Sequence, residues 1–256
     1  MRWAVAITTV PQRRCDLLPQ TLHSLREGGF GLDANCPMRL HVDGSSDPRG
    51  WAAEFGLPVT AHDPPVRTAG NWCLALAETW FRHQEADMYM MCQDDFVCVR
   101  NLRQYLDRCP YPERGYLNLI TETGSAAGAQ RHPRGKPTNE ELRVQHGKVG
   151  WFRSNQSGKG AVALVLDKKA VMALLSPYPG KPHSHLAERT MDAHRGWRVI
   201  DGGISESMTT KGWSEWCHNP SLVLHTGVAS SMGNCGGYEP AQSFPGDQAD
   251  ALGFLR

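Results

Sequence analysis

The chain has 256 residues, a net charge of only +1, and 40% hydrophobic residues with 8 Trp among them. That length suits one large α/β domain with a full core, and the composition excludes a disordered chain. No apolar run approaches the roughly 18 residues needed to span a bilayer, which excludes a membrane-spanning protein.

The first apolar segment, Trp3 to Thr9, reads as a strand. It is short, and Pro11-Gln12-Arg13-Arg14 follows it without a small-residue cleavage site, unlike an export signal. Asp16 to Arg26 reads as a helix, with Leu18, Thr21, Leu22 and Leu25 at helical spacing. Met38 to Asp43 is a second strand ending in Asp43-Gly44-Ser45, and Pro58 to His62 a short third one. Ala69, Trp72, Cys73, Leu76, Ala77, Trp80 and Phe81 then fall on one stripe at the i, i+3, i+4 spacing of a helix packed on a core. Met88 to Asp95 is an apolar run of strand length that stops on two adjacent carboxylates. This β-α-β-α-β order implies an α/β fold with a mainly parallel sheet and helices on both faces.

From Gly124 the periodicity fails, and residues 124–160 read as a long polar loop or lobe. Gly160 to Asp167 is again a strand, followed by a helix from Lys168 to Leu175 and a Pro-rich turn over Ser176 to His183. A helix-like stretch runs from Asp201 to Lys211 with Gly212 in the capping position, and a last strand, Glu215 to Leu224, ends at His225.

Charge is unevenly spread. Residues 1–123 carry 12 Arg against 15 Asp and Glu, and residues 161–256 carry 8 basic against 9 acidic side chains. Residues 124–160 hold 7 basic against 2 acidic, a local +5. A solvated loop has this character, and so does a surface for a polyanion. The 8 cysteines form no C-x-x-C pair; Cys73 and Cys92 lie in apolar elements as reduced core thiols do, implying a cytoplasmic setting. Cys92, Cys98 and Cys109 with a histidine would be the alternative, a zinc site.

The carboxylates at the end of the Met88 run carry the chemistry. Ligands of α/β proteins bind beyond the carboxyl ends of the strands, and a buried charged pair there is costly unless it meets a cation. Adjacent strand residues face opposite ways, so one carboxylate can hold a hard divalent ion while the other takes a hydroxyl or orients the first. A solvated acidic turn is the plain alternative.

Four features stand in order: Val42-Asp43-Gly44-Ser45, a helix with Arg67 and Asn71, Gln93-Asp94-Asp95, and Pro220-Ser221-Leu222-Val223-Leu224-His225-Thr226-Gly227. Together they resemble the GT-A glycosyltransferases over residues 3–123 and 160–233. The resemblance implies one GT-A-type Rossmann-like domain over 1–256, with a nucleotide-sugar half (1–123) and an acceptor half (124–256). It implies a nucleotide-sugar donor, a UDP-sugar, and a Mn²⁺ or Mg²⁺ ion that neutralises the departing diphosphate. Asp95 and His225 would be metal ligands and Asp94 would lie near the donor's ribose or sugar. Asp43 would be the uridine-side carboxylate, with Thr8, Thr9, Arg67 and Asn71 lining the same pocket. Asp201 would be the general base of an inverting reaction, with Glu188 and Asp192 as substitutes. Gln93 departs from the family's commoner acid-x-acid form.

The acceptor is a separate matter. The basic 124–160 segment, with Trp151, Phe152 and Arg153, offers phosphate contacts and a stacking platform to DNA, as in phage enzymes that glycosylate hydroxymethylated pyrimidines. A surface glycan, a lipid-linked sugar or a protein side chain would also serve, although no amphipathic basic helix suggests membrane docking. A non-catalytic sugar- or nucleic-acid-binding module and a metal-dependent nuclease are the readings from other classes.

Overall fold

The apolar runs assemble into one sheet, as a computed structural model shows; it describes residues 1–121, 137–156, 161–177, 200–227 and 241–255. The strands are β1 (Trp3–Thr9), β2 (Met38–Asp43), β3 (Val59–His62), β4 (Met88–Gln93), β5 (Phe96–Cys98), β6 (Gly115–Asn118), β7 (Gly150–Arg153), β8 (Ala163–Asp167), β9 (Ser214–Asn219) and β10 (Val223–His225). The helices are α1 (Leu17–Glu27), α2 (Pro48–Phe55), α3 (Arg67–Arg82), α4 (Leu102–Leu106), α5 (Asn139–His146), α6 (Lys168–Leu175) and α7 (Ile200–Thr210). Eight strands lie in the order β3-β2-β1-β4-β8-β6-β9-β7, and β10 pairs with β5 in a separate two-stranded sheet.

Pairing is parallel from β3 through β2 and β1 to β4, and again between β6 and β9. β8 is antiparallel to both β4 and β6, and β7 is antiparallel to β9. Only β7 and β8 therefore oppose the common direction, so the sheet is the mainly parallel one expected. With helices on both faces, this is an α/β fold built on a mixed, mainly parallel eight-stranded sheet.

Strand alternation divides the core into two layers. Trp3, Val5 and Ile7 face one way with Leu40, Met90 and Val165, against α1 and α4 through Leu18, Leu22, Leu25 and Leu102. Ala4 and Ala6 face the other way with Tyr89, Met91 and Leu164, against Trp72 and Leu76 of α3, Val171 of α6 and Ile204 of α7. The small side chains of β1 let α3 approach closely, which brings the start of that helix to the carboxyl ends of β1 and β2.

Several expectations are corrected. The Met88 strand ends at Gln93, so Asp94 and Asp95 stand in the turn into β5. The last strand is broken at Pro220, which has no N–H for a ladder, and its second part leaves the large sheet to become β10. Phe81 lies off the buried face of α3 and is 77% exposed, because that face follows Ala69, Trp72, Ala75, Leu76 and Thr79. Within the expected loop, Asn139–His146 form α5 and Gly150–Arg153 form β7, and Thr138 caps α5 in a reciprocal capping box with Glu141.

His218 of β9 is fully buried, with Tyr105 Oη 2.6 Å from Nε2 and the Pro220 carbonyl 2.7 Å from Nδ1. The carbonyl can only accept, so Nδ1 carries the proton and Nε2 accepts from the tyrosine. Burial pushes the imidazole down to about 4. The unfolded chain binds more protons between its ordinary value and that depressed one, so stability falls as pH drops through this window and levels off below it. Between pH 7 and 5 this one group should cost about 2 kcal/mol, read from urea midpoints. His218→Gln should show a shallower pH slope whatever its stability at pH 7; an unchanged slope would remove His218 as the cause.

Candidate active site

An open cleft lies beyond the carboxyl ends of β1, β2 and β4, lined by Thr8, Thr9, Val10, Arg13, Asp43, Thr68, Asn71, Gln93, Asp94 and Asp95. Six of the nine expected site residues are therefore gathered here. The register explains it: Thr8 of β1 sits opposite His41 of β2 on one side and Gln93 of β4 on the other, so the three strands end level.

The carboxylates have different surroundings, which the turn after β4, not strand alternation, sets. Asp94 is 6% exposed and accepts a 2.5 Å hydrogen bond from Thr9 Oγ1 at Oδ2. Burial first, and then repulsion from Asp95, push its carboxyl up to about 6, against the Thr9 hydrogen bond and the Arg13 charge. Asp95 is 7% exposed; its Oδ2 lies 3.1 Å from His225 Nε2 and 3.8 Å from Arg13 Nη2. Its backbone carbonyl accepts from Thr226 N at 2.8 Å. This arrangement follows from the small sheet, where His225 of β10 pairs with Phe96, the residue after Asp95. Gly227 completes it: a Cβ there would stand 2.9 Å from Asp95 Oδ2 and 3.0 Å from His225 Cε1.

Asp43 serves both a turn and the cleft. Gly44 after it has φ +86°, the left-handed conformation that favours glycine, while Asp43 Oδ1 accepts from Val66 N at 2.7 Å and so fixes the entry to α3. Asn71 donates from Nδ2 to the His41 carbonyl at 2.9 Å, tying α3 to β2. Its Oδ1 is buried without a hydrogen-bond partner. Thr8 spends its hydroxyl on the Cys92 carbonyl at 3.1 Å.

Three expected residues stand outside this lining. His225 reaches the site through Asp95. Arg67 is exposed at the first position of α3, with φ 66°, and its neighbour Thr68 lines the cleft instead. Asp201 lies in the first turn of α7, and Glu188 and Asp192 lie outside the described residues. Arg13 and Thr68 were not foreseen, although the turn after a first α/β strand is where ligands are met, and Pro11-Gln12-Arg13-Arg14 stood there.

A divalent ion would find two side-chain donors here. They are the Asp95 carboxylate and the His225 imidazole, 3.1 Å apart. Asp95 Oδ1 is also buried without a hydrogen-bond partner, and carboxylate with imidazole suits Mn²⁺. Among the described residues no group of three or more His, Cys, Asp or Glu side chains forms a metal site. That includes the expected zinc alternative: Cys98 Sγ donates to the Ser24 carbonyl and Cys109 Sγ to that of Leu106, and both are buried free thiols.

The expected stacking platform is corrected too. Phe152 is buried at 5% exposure, and the Trp151 ring packs 4.9 Å from His218 and 6.5 Å from Tyr105. Arg143 is drawn into pairing with Glu140 and Asn219 Oδ1, and Arg131, Arg134, Lys136 and Lys159 lie outside the described residues. Among the described residues no helix is long and apolar enough to cross a membrane.

No family model matches the sequence, and no curated protein matches it. Among solved structures, the chain is similar to S. aureus TarS 1-349 in complex with UDP, at 12% identity and TM-score 0.49 over 85% of this chain and 60% of that one. It is similar to the mannosyltransferase PcManGT of Pyrobaculum calidifontis in complex with GDP-Man and Mn²⁺, at 13% identity and TM-score 0.44 over 77% and 53% of the two chains. Mouse xyloside xylosyltransferase 1, in its apo form, matches at 14% identity and TM-score 0.42 over 83% and 82%. The chain thus spans 60% and 53% of the first two.

Proposed function

We propose that this protein is an inverting glycosyltransferase that moves a sugar from a nucleotide-sugar donor, a UDP-sugar, to an acceptor hydroxyl. The observation that carries the reading is the meeting of Asp43, Asp94 and Asp95 in one cleft at the ends of three parallel strands, with His225 brought to Asp95 from a separate sheet. An acidic turn kept only for solubility would not be buried, nor would a histidine and a glycine be fitted against it.

In this reading Asp43 and Asn71 hold the nucleoside end and Thr9 fixes Asp94 toward the ribose or sugar. Asp95 and His225 would hold Mn²⁺ or Mg²⁺, whose charge offsets that of the departing diphosphate. The acceptor oxygen attacks the anomeric carbon, the bond to the diphosphate oxygen breaks with its electron pair, and the acceptor proton passes to Asp201. Sugar configuration inverts because attack and departure take opposite faces.

The test is incubation with a panel of UDP- and GDP-sugars and Mn²⁺, reading released nucleoside diphosphate, with DNA containing 5-hydroxymethylcytosine and glycan primers as acceptors. Release from a UDP-sugar with a mass increment on one acceptor is expected. No release from any donor with either ion would sink the reading in favour of a binding module, and cleavage of plain DNA would favour a nuclease. Gly227→Ala should weaken Mn²⁺ binding in the presence of UDP by about 10- to 100-fold, because the added methyl displaces Asp95 from His225. Calorimetric Mn²⁺ titration checks this; unchanged affinity would exclude the pair as ligands.

A further inference from the structure

We infer that Arg13 is a donor-binding residue that grips the diphosphate of the nucleotide; this rests on the reading above. Arg13 ends the short 3-10 turn Pro11–Arg13 that follows β1, and it is 8% exposed. Its guanidinium Nη2 stands 3.8 Å from Asp95 Oδ2, an ion pair too long to be a hydrogen bond. The cleft lining among the described residues holds three carboxylates, Asp43, Asp94 and Asp95, and Arg13 as its one basic side chain.

That balance decides what Arg13 does. A diphosphate brings at least two further negative charges into a low-dielectric cleft that is already acidic, where repulsion is poorly screened. One divalent ion offsets the donor alone and leaves the three carboxylates facing it. A guanidinium at the same corner supplies a positive charge that stays at every working pH and a planar fork of N–H donors matched to phosphate oxygens.

The experiment measures binding of uridine, UMP, UDP and GDP in saturating Mn²⁺, by calorimetry and ligand-observed NMR, to wild type, Arg13→Gln, Arg13→Lys and the control Arg14→Gln. Arg14 is a fitting control because it pairs with Glu54 and lies over the Trp51 ring, away from the cleft. Arg13→Gln should weaken UDP binding about 10- to 100-fold, as loss of a charge-assisted contact does, while uridine binding stays within twofold. Arg13→Lys, which keeps charge and bulk, should fall between and covers the case in which Arg13→Gln fails to fold. Equal losses for uridine and UDP, or UDP binding within twofold of wild type, would overturn the inference while leaving the donor reading intact. A wild type that binds neither UDP nor GDP would overturn both.

Discussion

Asp95→Asn is expected to lower release of nucleoside diphosphate and sugar transfer by about 100- to 1,000-fold, the scale seen when one preorganised electrostatic contact to a reacting group is removed. The substitution changes almost no volume, so the 7% exposed side chain should still fit. What it removes is the charge facing His225 at 3.1 Å and Arg13 at 3.8 Å. It also relieves Asp94, whose carboxyl Asp95 helps to push upward, so that group should ionise more readily in the variant. Relief of like-charge repulsion and loss of the pairing with His225 act in opposite directions on folding, and the melting temperature should stay within a few degrees. Activity above a tenth of wild type in a folded protein would show that Asp95 does not hold the cation.

Trp72→Ala should destabilise the protein by about 3 to 5 kcal/mol, the usual cost of emptying a fully buried aromatic site. Trp72 is wholly buried on α3, in the layer formed by Ala4 and Ala6 with Tyr89 and Met91. The two alanines of β1 cannot swell to fill the void, so collapse is limited. The same helix begins with Thr68 and Asn71 at the cleft, so donor affinity should fall along with stability. Phe81→Ala, at a 77% exposed position on α3, should change stability by no more than about 0.5 kcal/mol. Urea midpoints separate the two; a Trp72→Ala cost below about 1 kcal/mol would mean that α3 is not anchored by its tryptophan.

Two of the strands that build the cleft were legible because they are buried on both faces and so read as apolar runs, Trp3 to Ile7 and Met88 to Cys92, while β2 was legible from Met38, Leu40 and Val42 alternating with Arg39 and His41. The site residues were legible because they sit at the ends of such runs. Short elements were harder. β5 and β6 have three and four residues, too few for any period to show. α2 is eight residues long, and its signals are brief: Asp47 before Pro48, a capping aspartate accepting from Gly50 N, the single apolar pair Trp51 and Phe55, and Gly56 at its end. The split of the last strand turned on Pro220, whose meaning depends on which neighbours compete for the chain on either side. Trp151 and Phe152 were misread for a related reason: polar, basic flanks masked a strand that packs on β9 at the sheet's edge. Arg13 was missed because its partner is 82 positions away, where only the parallel register of β1 and β4 joins them.

The antiparallel β8 has a consequence for how the chain is made. β4, composed of Met-Tyr-Met-Met-Cys-Gln, has β1 on one side, and its other edge is covered only by residues 163–167. During synthesis the four parallel strands of the first half can pair among themselves while that edge stays open, a template of the kind that recruits strands from other chains. Roughly 70 residues must emerge before β8 closes it, and the distant pairing makes this step slow. Cutting the gene after the nucleotide half should therefore yield an aggregating product, and a nascent chain held at that stage should be a strong client for chaperones that bind apolar strands.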